Sequence, residues 1–213
     1  MKQKQVDLPV LQRAATDLTL PPFLVAVDPC NNSGVAVVRL GEGLVGACAL
    51  RNIETKTTQG KASPSVRLEA IRAFTGGARY LFLIEQSNLS SFLSRKAQDG
   101  FIRSRERWKD IIRSDPACVA MADYHVSTWR KQAGMWDLKR NLGCDWKKAA
   151  LHWVATWAPS APAMSHDAAE AAVMALQGAR GLETGYMRVE VDARGATTIR
   201  FEGVRSRQRK GRG

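Results

Sequence analysis

Long apolar runs, paired cysteines and histidines are all scarce in this 213-residue chain. No apolar stretch approaches the roughly 18 residues that a membrane span requires. The opening residues, Met1-Lys2-Gln3-Lys4-Gln5, carry nothing like the apolar segment of a secretion signal. Cys30, Cys48, Cys118 and Cys144 show no Cys-x-x-Cys spacing, which excludes a zinc framework. They read as thiols of a reducing compartment, so a cytoplasmic location is expected. With three histidines, His125, His152 and His166, no motif supports a Ser/His/Asp nucleophilic triad. Acidic residues are also outnumbered, 20 Asp+Glu against 32 Lys+Arg, for a formal net charge of +12. That excess favours a nucleic acid or another anionic surface as partner.

What is present suffices for one sizeable domain with appendages, since hydrophobic residues make up 45% of the chain. Residues 1–22 read as an N-terminal extension closed by Pro21-Pro22, 23–180 as the main domain, 181–204 as a C-terminal β-hairpin around Asp192-Ala193-Arg194-Gly195, and 205–213 as a basic tail. Within the main domain, 23–28, 35–40 and 44–50 read as strands, and the tight Gly41-Glu42-Gly43 connection makes the last two antiparallel neighbours. A polar segment with Lys56 and Lys61 leads to a helix opened by Ser63-Pro64 and ended by Gly76-Gly77. A fourth strand spans 80–85. A basic helix follows over 90–113, with Gly100 as a possible break and apolar positions at Phe92, Leu93, Phe101, Ile102, Trp108, Ile111 and Ile112. After a short strand near Cys118–Ala122, Ser127 is expected to cap a short helix, 134–144 to form a loop, and Asp145 to cap a helix whose Trp146, Trp153 and Trp157 belong to the core. Ser165 caps a last core helix running to about Gly178. The order predicts an α/β fold with a mixed five-stranded sheet flanked by helices.

Four carboxylates stand out against this background. Asp28 ends the apolar run Phe23-Leu24-Val25-Ala26-Val27, and Glu85 ends Tyr80-Leu81-Phe82-Leu83-Ile84. Acids at the ends of buried strands are costly unless a cation or hydrogen bonds meet them. Asp167 and Glu170 lie one helical turn apart in Ser-His-Asp-Ala-Ala-Glu-Ala-Ala and share a face. Each has an ordinary reading: Asp28 as a turn former before Pro29, Glu85 as the start of a loop, Asp167 as a helix-dipole partner, Glu170 as part of a solvated face. Together they suggest an acidic pocket in a basic protein, suited to a cation at the centre and a polyanion around it. His166 adjoins the pair as a secondary candidate ligand or proton donor, or as an ordinary helix-start histidine.

The segments Val27-Asp28-Pro29-Cys30-Asn31-Asn32-Ser33-Gly34-Val35-Ala36, Leu83-Ile84-Glu85, Val126-x-x-Trp129-Arg130-Lys131 followed by Gly134 and Lys147, and His166-Asp167-Ala168-Ala169-Glu170-Ala171 resemble, in order and spacing, the ribonuclease H-like fold. Within it they are similar to the RuvC-like Holliday-junction resolvases, particularly bacteriophage-type members. The resemblance covers about residues 23–178. Two positions depart from the family pattern: Cys30, where glycine is usual, and Glu170, where aspartate is. The resemblance implies a metal-dependent endodeoxyribonuclease that resolves four-way and related branched DNA by paired nicks, in a bacterial or phage-infected cell. It implies Asp28, Glu85, Asp167 and Glu170 as catalytic metal ligands, with two Mg²⁺ or Mn²⁺ ions, and Asp28 bridging both. It also implies a homodimer formed through the helix after the fourth strand.

Trp129, Arg130, Lys131, Lys139, Arg140 and Lys147 make a basic stretch suited to phosphates flanking a cut, and the resemblance implies that this region lies near the active site with Lys147 touching the scissile strand. Trp136 offers a stacking surface for a base. Lys148 reads as part of a solvated face, and His125 and His152 as structural or surface residues. Other readings remain: a ribonuclease H-like nuclease acting on RNA–DNA hybrid or precursor RNA, a less selective branched-DNA nuclease, a junction-binding protein without catalysis, or an ATP-binding domain of the sugar-kinase and actin type, which needs far more chain.

Overall fold

The computed structural model describes residues 20–30, 32–51, 64–87 and 94–202. The readings of 1–19, of Asn31, of the polar segment with Lys56 and Lys61, of Phe92 and Leu93, and of the basic tail fall outside these residues.

The first apolar run forms β1 (Phe23–Asp28), buried along its whole length. A short connection returns the chain antiparallel as β2 (Asn32–Arg39), and a turn over 40–42 leads to β3 (Gly43–Arg51). Gly41 and Gly43 hold φ of 83° and 112° in this turn, values that side chains with a Cβ rarely adopt. Helix α1 (Pro64–Thr75) crosses to β4 (Tyr80–Gln86), which pairs parallel with β1. Helix α2 (Arg95–Arg113) crosses to β5 (Cys118–His125), parallel to β4. The sheet order is β3-β2-β1-β4-β5. The chain continues as α3 (Val126–Gln132), α4 (Met135–Leu142), α5 (Trp146–Trp157) and α6 (His166–Glu183), and then as the hairpin β6 (Met187–Val191) and β7 (Thr197–Phe201).

Strand periodicity sorts the sheet residues into two cores. Leu24, Ala26, Ala36, Val38, Leu81 and Leu83 pack with Trp129, Trp153, Val154 and the small residues of α6 on one face. Phe23, Val25, Val27, Val35, Val37, Phe82 and Ile84 pack with Ile71 of α1 and Trp108 and Ile112 of α2 on the other. Continued by two residues, the first set reaches Asp28 at the end of β1 and Glu85 near the end of β4. Both acids therefore lie on the α6 side. Parallel pairing of Val27 with Ile84 makes them next neighbours across the two strands.

Helix α6 is buried nearly all round, with Asp167 to Ala175 all inaccessible. Its alanines let it lie flush on β1, β2 and β3. A Cβ at Gly178 would stand 2.5 Å from Leu83 Cδ1, so only glycine allows this spacing. The hairpin closes on the same core: Met187 is buried, and Phe201 stacks on Tyr124 of β5 with ring centroids 4.9 Å apart.

Several local expectations need correction. The loop over 134–144 is instead α4: Gly134 and Gly143, at φ 66° and 58°, mark the ends of a helix whose Met135 is fully buried. The cap of α3 is His125, whose Nδ1 accepts from the backbone N–H of Ser127. Gly100 does not break α2, which opens at the Ser94 cap. Helix α6 runs past Gly178 to Glu183. Trp157 is 65% exposed, because it is the final residue of α5 and lies beyond the sheet, and Trp146 is only half-buried. Asp145 and Ser165 do cap α5 and α6, accepting from Lys148 N and Ala168 N.

Candidate active site

Asp28, Glu85, Asp167 and Glu170, carried by β1, β4 and α6, are all at least nine-tenths buried. Their convergence depends on one close approach. Gly34 pairs with Asp28 across β1 and β2, and a Cβ on Gly34 would lie 1.9 Å from the Asp167 carbonyl oxygen. The missing side chain lets the first turn of α6 rest against the β2 backbone, which brings Asp167 over Asp28. One oxygen of each of these two carboxylates and the Cys30 Sγ all lie within 4.8 Å of one another.

The electrostatics match this crowding. Burial, reinforced by the charges of Glu85, Glu170 and Asp167, holds the Asp28 carboxyl well above the ordinary range, and the Cys30 hydrogen bond offsets part of the rise. Burial also raises Glu85, opposed by a 2.5 Å hydrogen bond from Ser87 Oγ and by the nearby Arg130 charge. The buried Trp129 indole N–H, directed at Glu85, also favours its ionised form.

Two basic side chains reach into the pocket. Lys147 Nζ donates to Asp167 Oδ1 at 3.0 Å, and Arg130 Nη2 donates to Glu170 Oε1 at 2.6 Å. The hydrogen bond to Asp167 raises the Lys147 pKa. Arg130 is held by aromatic faces, its guanidinium carbon 5.1 Å from the Trp129 ring centroid and 4.7 Å from that of Trp146. Lys139 stacks on Trp146 at 4.5 Å, and Trp136 meets the same ring edge-on at 4.7 Å.

The structure separates the six residues expected at a nucleic-acid interface. Trp129 is completely buried and forms a wall of the pocket, which corrects its expected place on the surface. Arg130 points inward to Glu170. Lys131 and Arg140 are exposed, and Arg140 pairs with Asp137. Lys139 is half-buried over Trp146, and Lys147 joins the acids to solvent with 56% of its side chain exposed. Trp136 is 53% exposed between two surface depressions, one lined by Ser127, Lys131 and Tyr186 and the other by Lys139, Arg140 and Cys144. His166 is exposed at the start of α6, and Lys148 and His152 are exposed on α5. Sequence reasoning missed Ser87, Gly34 and Trp146 as parts of the site. Ser87 follows Glu85 by two residues and could have been found from that spacing; the other two depend on tertiary approach.

The donor set fits a divalent cation. Four buried carboxylates are met by two cationic side chains, Lys147 at Asp167 and Arg130 at Glu170, and hard oxygen ligands from separate elements suit Mg²⁺ or Mn²⁺.

No protein-family model and no curated protein sequence matches the chain. Among solved structures, that of T. thermophilus RuvC in complex with Holliday junction substrate matches with a TM-score of 0.55 at 13% identity, over 76% of this chain and 96% of that one. A second Thermus thermophilus RuvC structure gives 0.44 at 18% identity over the same shares. The first likeness, with the observed sheet order, establishes the ribonuclease H-like fold of RuvC.

Proposed function

We propose that the chain is a divalent-metal-dependent, structure-selective endodeoxyribonuclease that resolves four-way and related branched DNA by paired nicks. The observation that carries this reading is that four buried carboxylates on β1, β4 and α6 lie near enough for Glu85, Glu170 and Asp167 each to raise the Asp28 carboxyl, in a protein with net charge +12. The structural neighbour supports it, since that RuvC was solved on a Holliday junction.

Asp28 and Asp167 would hold the first divalent ion, and Glu85 and Glu170 extend the ligand set toward a second. The chemistry such ions supply is Lewis-acid stabilisation of the charge that builds on phosphoryl and leaving oxygens. The protein's own part is orientation. Ser87 fixes one Glu85 oxygen, the Trp129–Trp146 pair fixes the plane of Arg130, and Gly34 sets the depth of α6. Lys147 stands between the acids and solvent and is placed to hold a phosphate of the scissile strand. Lys131 and Arg140 extend that charge outward along the surface.

Paired nicks require two sites, and a two-fold dimer matches a two-fold junction. Helix α2 carries Ile102 exposed and Ile111 half-buried on the flanks of the Trp108 and Ile112 face that covers the sheet, and Phe101, half-buried, continues that face one heptad earlier. Ile102, Phe101 and Ile111 are the proposed dimer contact.

A cleavage assay with added Mg²⁺ or Mn²⁺ tests the reading, using four-way, flap and RNA–DNA hybrid substrates side by side. Asp28→Asn, Glu85→Gln, Asp167→Asn and Glu170→Gln should each lower junction cleavage by about 10²-fold or more while junction binding persists. Symmetric nicks on the four-way substrate are the expected product. Full cleavage by the Asp28→Asn protein, or preference for the hybrid, would overturn the assignment.

A further inference from the structure

The Cys30 thiol stands among the carboxylates and has no role in the reading above. Its Sγ is 3.4 Å from Asp28 Oδ2 and 3.0 Å from the Asn32 carbonyl oxygen. The turn that carries it is anchored from the far side of the sheet. Ser33 Oγ donates to the Cys30 carbonyl at 3.2 Å and accepts from Trp108 Nε1 at 3.0 Å, and both Ser33 and Trp108 are buried. The thiol is therefore a fixed part of the pocket. The pocket's preference for positive charge is visible independently in Lys147 and Arg130, which already occupy Asp167 and Glu170.

Resting on the reading of this pocket as a divalent-metal centre, we propose that Cys30 Sγ is itself a metal ligand with Asp28 and Asp167, and that the site prefers a borderline ion such as Co²⁺ or Zn²⁺ to Mg²⁺. Magnesium takes oxygen ligands almost exclusively, whereas a thiolate strengthens binding of softer ions. The spacing is already suitable. A tetrahedral ion about 2.3 Å from sulfur and about 2.0 Å from oxygen keeps those two atoms about 3.5 Å apart, close to the 3.4 Å observed between Cys30 and Asp28. On ligation the thiol proton is released to solvent. A cation held by Cys30 and Asp28 would take the place of that proton.

Cobalt titration of the full chain, followed by absorbance and calorimetry, tests this directly. The wild-type protein should develop a sulfur-to-cobalt charge-transfer band in the near ultraviolet. Cys30→Ser should bind Co²⁺ without that band and lose about tenfold or more in Co²⁺ and Zn²⁺ affinity, a loss that even an outer-sphere partner commonly causes. Its Mg²⁺ affinity should change far less. Circular dichroism on both proteins establishes that the variant is folded. A wild-type spectrum showing oxygen ligation only, a band that survives in Cys30→Ser, or an unchanged ratio of Co²⁺ to Mg²⁺ affinity would overturn the cysteine assignment and leave the nuclease reading standing. Failure of the folded wild-type protein to bind any divalent ion would overturn both.

Discussion

Asp28 shows at the scale of one residue how the site stores its reactivity. Its carboxyl is raised first by burial and then by neighbouring charges, so the folded chain binds a proton more tightly than the unfolded chain does. Glu85 behaves in the same direction. The window opens at the ordinary values, 3.8 for Asp28 and 4.5 for Glu85, and extends upward. Within it the unfolded state binds fewer protons, and stability of the metal-free protein falls as pH rises. Asp123 on β5 is the contrary case. Its partial burial acts upward but is overcome by Arg105 and Lys109, so its pKa is lowered, and its contribution is present above the ordinary value and lost as pH falls. Asp28→Asn should therefore raise stability of the metal-free protein near neutral pH by about 1 kcal/mol, the gain commonly found when a strained functional residue is replaced. It should also flatten the decline above about pH 4. Urea denaturation in chelator across pH checks this, and a variant less stable than wild type at neutral pH would contradict it. The acids themselves were legible in the sequence, since a carboxylate closing an apolar run is conspicuous. The fate of Trp129 was not. Its basic neighbours Arg130 and Lys131 suggested a surface, and only the packing of α3 against α6 turns the indole inward.

Elements meet here through what is missing from their side chains. Gly34 lets β2 touch the first turn of α6, and any Cβ there meets backbone rather than a yielding side chain. Gly34→Ala should cost about 1–3 kcal/mol by overpacking and should also weaken divalent-ion binding, as Asp167 is pushed away from Asp28. Gly46→Ala is the control: its Cβ would strike the Phe74 ring, 2.3 Å away and on the opposite face. It should destabilise without altering ion affinity. Calorimetry and thermal melts on both variants separate the two effects, and equal loss of ion binding in both would refute the positioning role of Gly34. The same scale shows why the strands were readable and α4 was not. Alternation and apolar runs mark β1 and β4 without reference to anything else. The two glycines that delimit α4 carry the ordinary signature of a loop, and eight residues between them give too short a period to outweigh it.

The chain as a whole is basic, which composition alone shows, and the acidic cluster within it was legible from the positions of four carboxylates. Residues 205–213 carry Arg205, Arg207, Arg209, Lys210 and Arg212. Their removal should weaken junction binding at low salt and reduce the slope of log affinity against log salt by about 0.9 for each phosphate that the tail neutralises. The rate of cleavage at saturating enzyme should be preserved. An unchanged slope in filter-binding or fluorescence titrations would show that the tail does not engage the DNA backbone. Topology at this scale was legible because connection lengths dictate it: short turns force β1–β2–β3 into an antiparallel meander, and helical crossovers force β4 and β5 parallel.

Helix α6 is the most enclosed helix among the described residues and also the one that presents Asp167 and Glu170. Segments that contribute to ligand handling are usually drawn from the parts of a protein that open most readily, whereas this one can detach only when the sheet beneath it comes apart. The geometry of these acids is thus inherited from global cooperativity, and the freedom needed to admit and release the proposed branched substrate is expected in the surrounding surface.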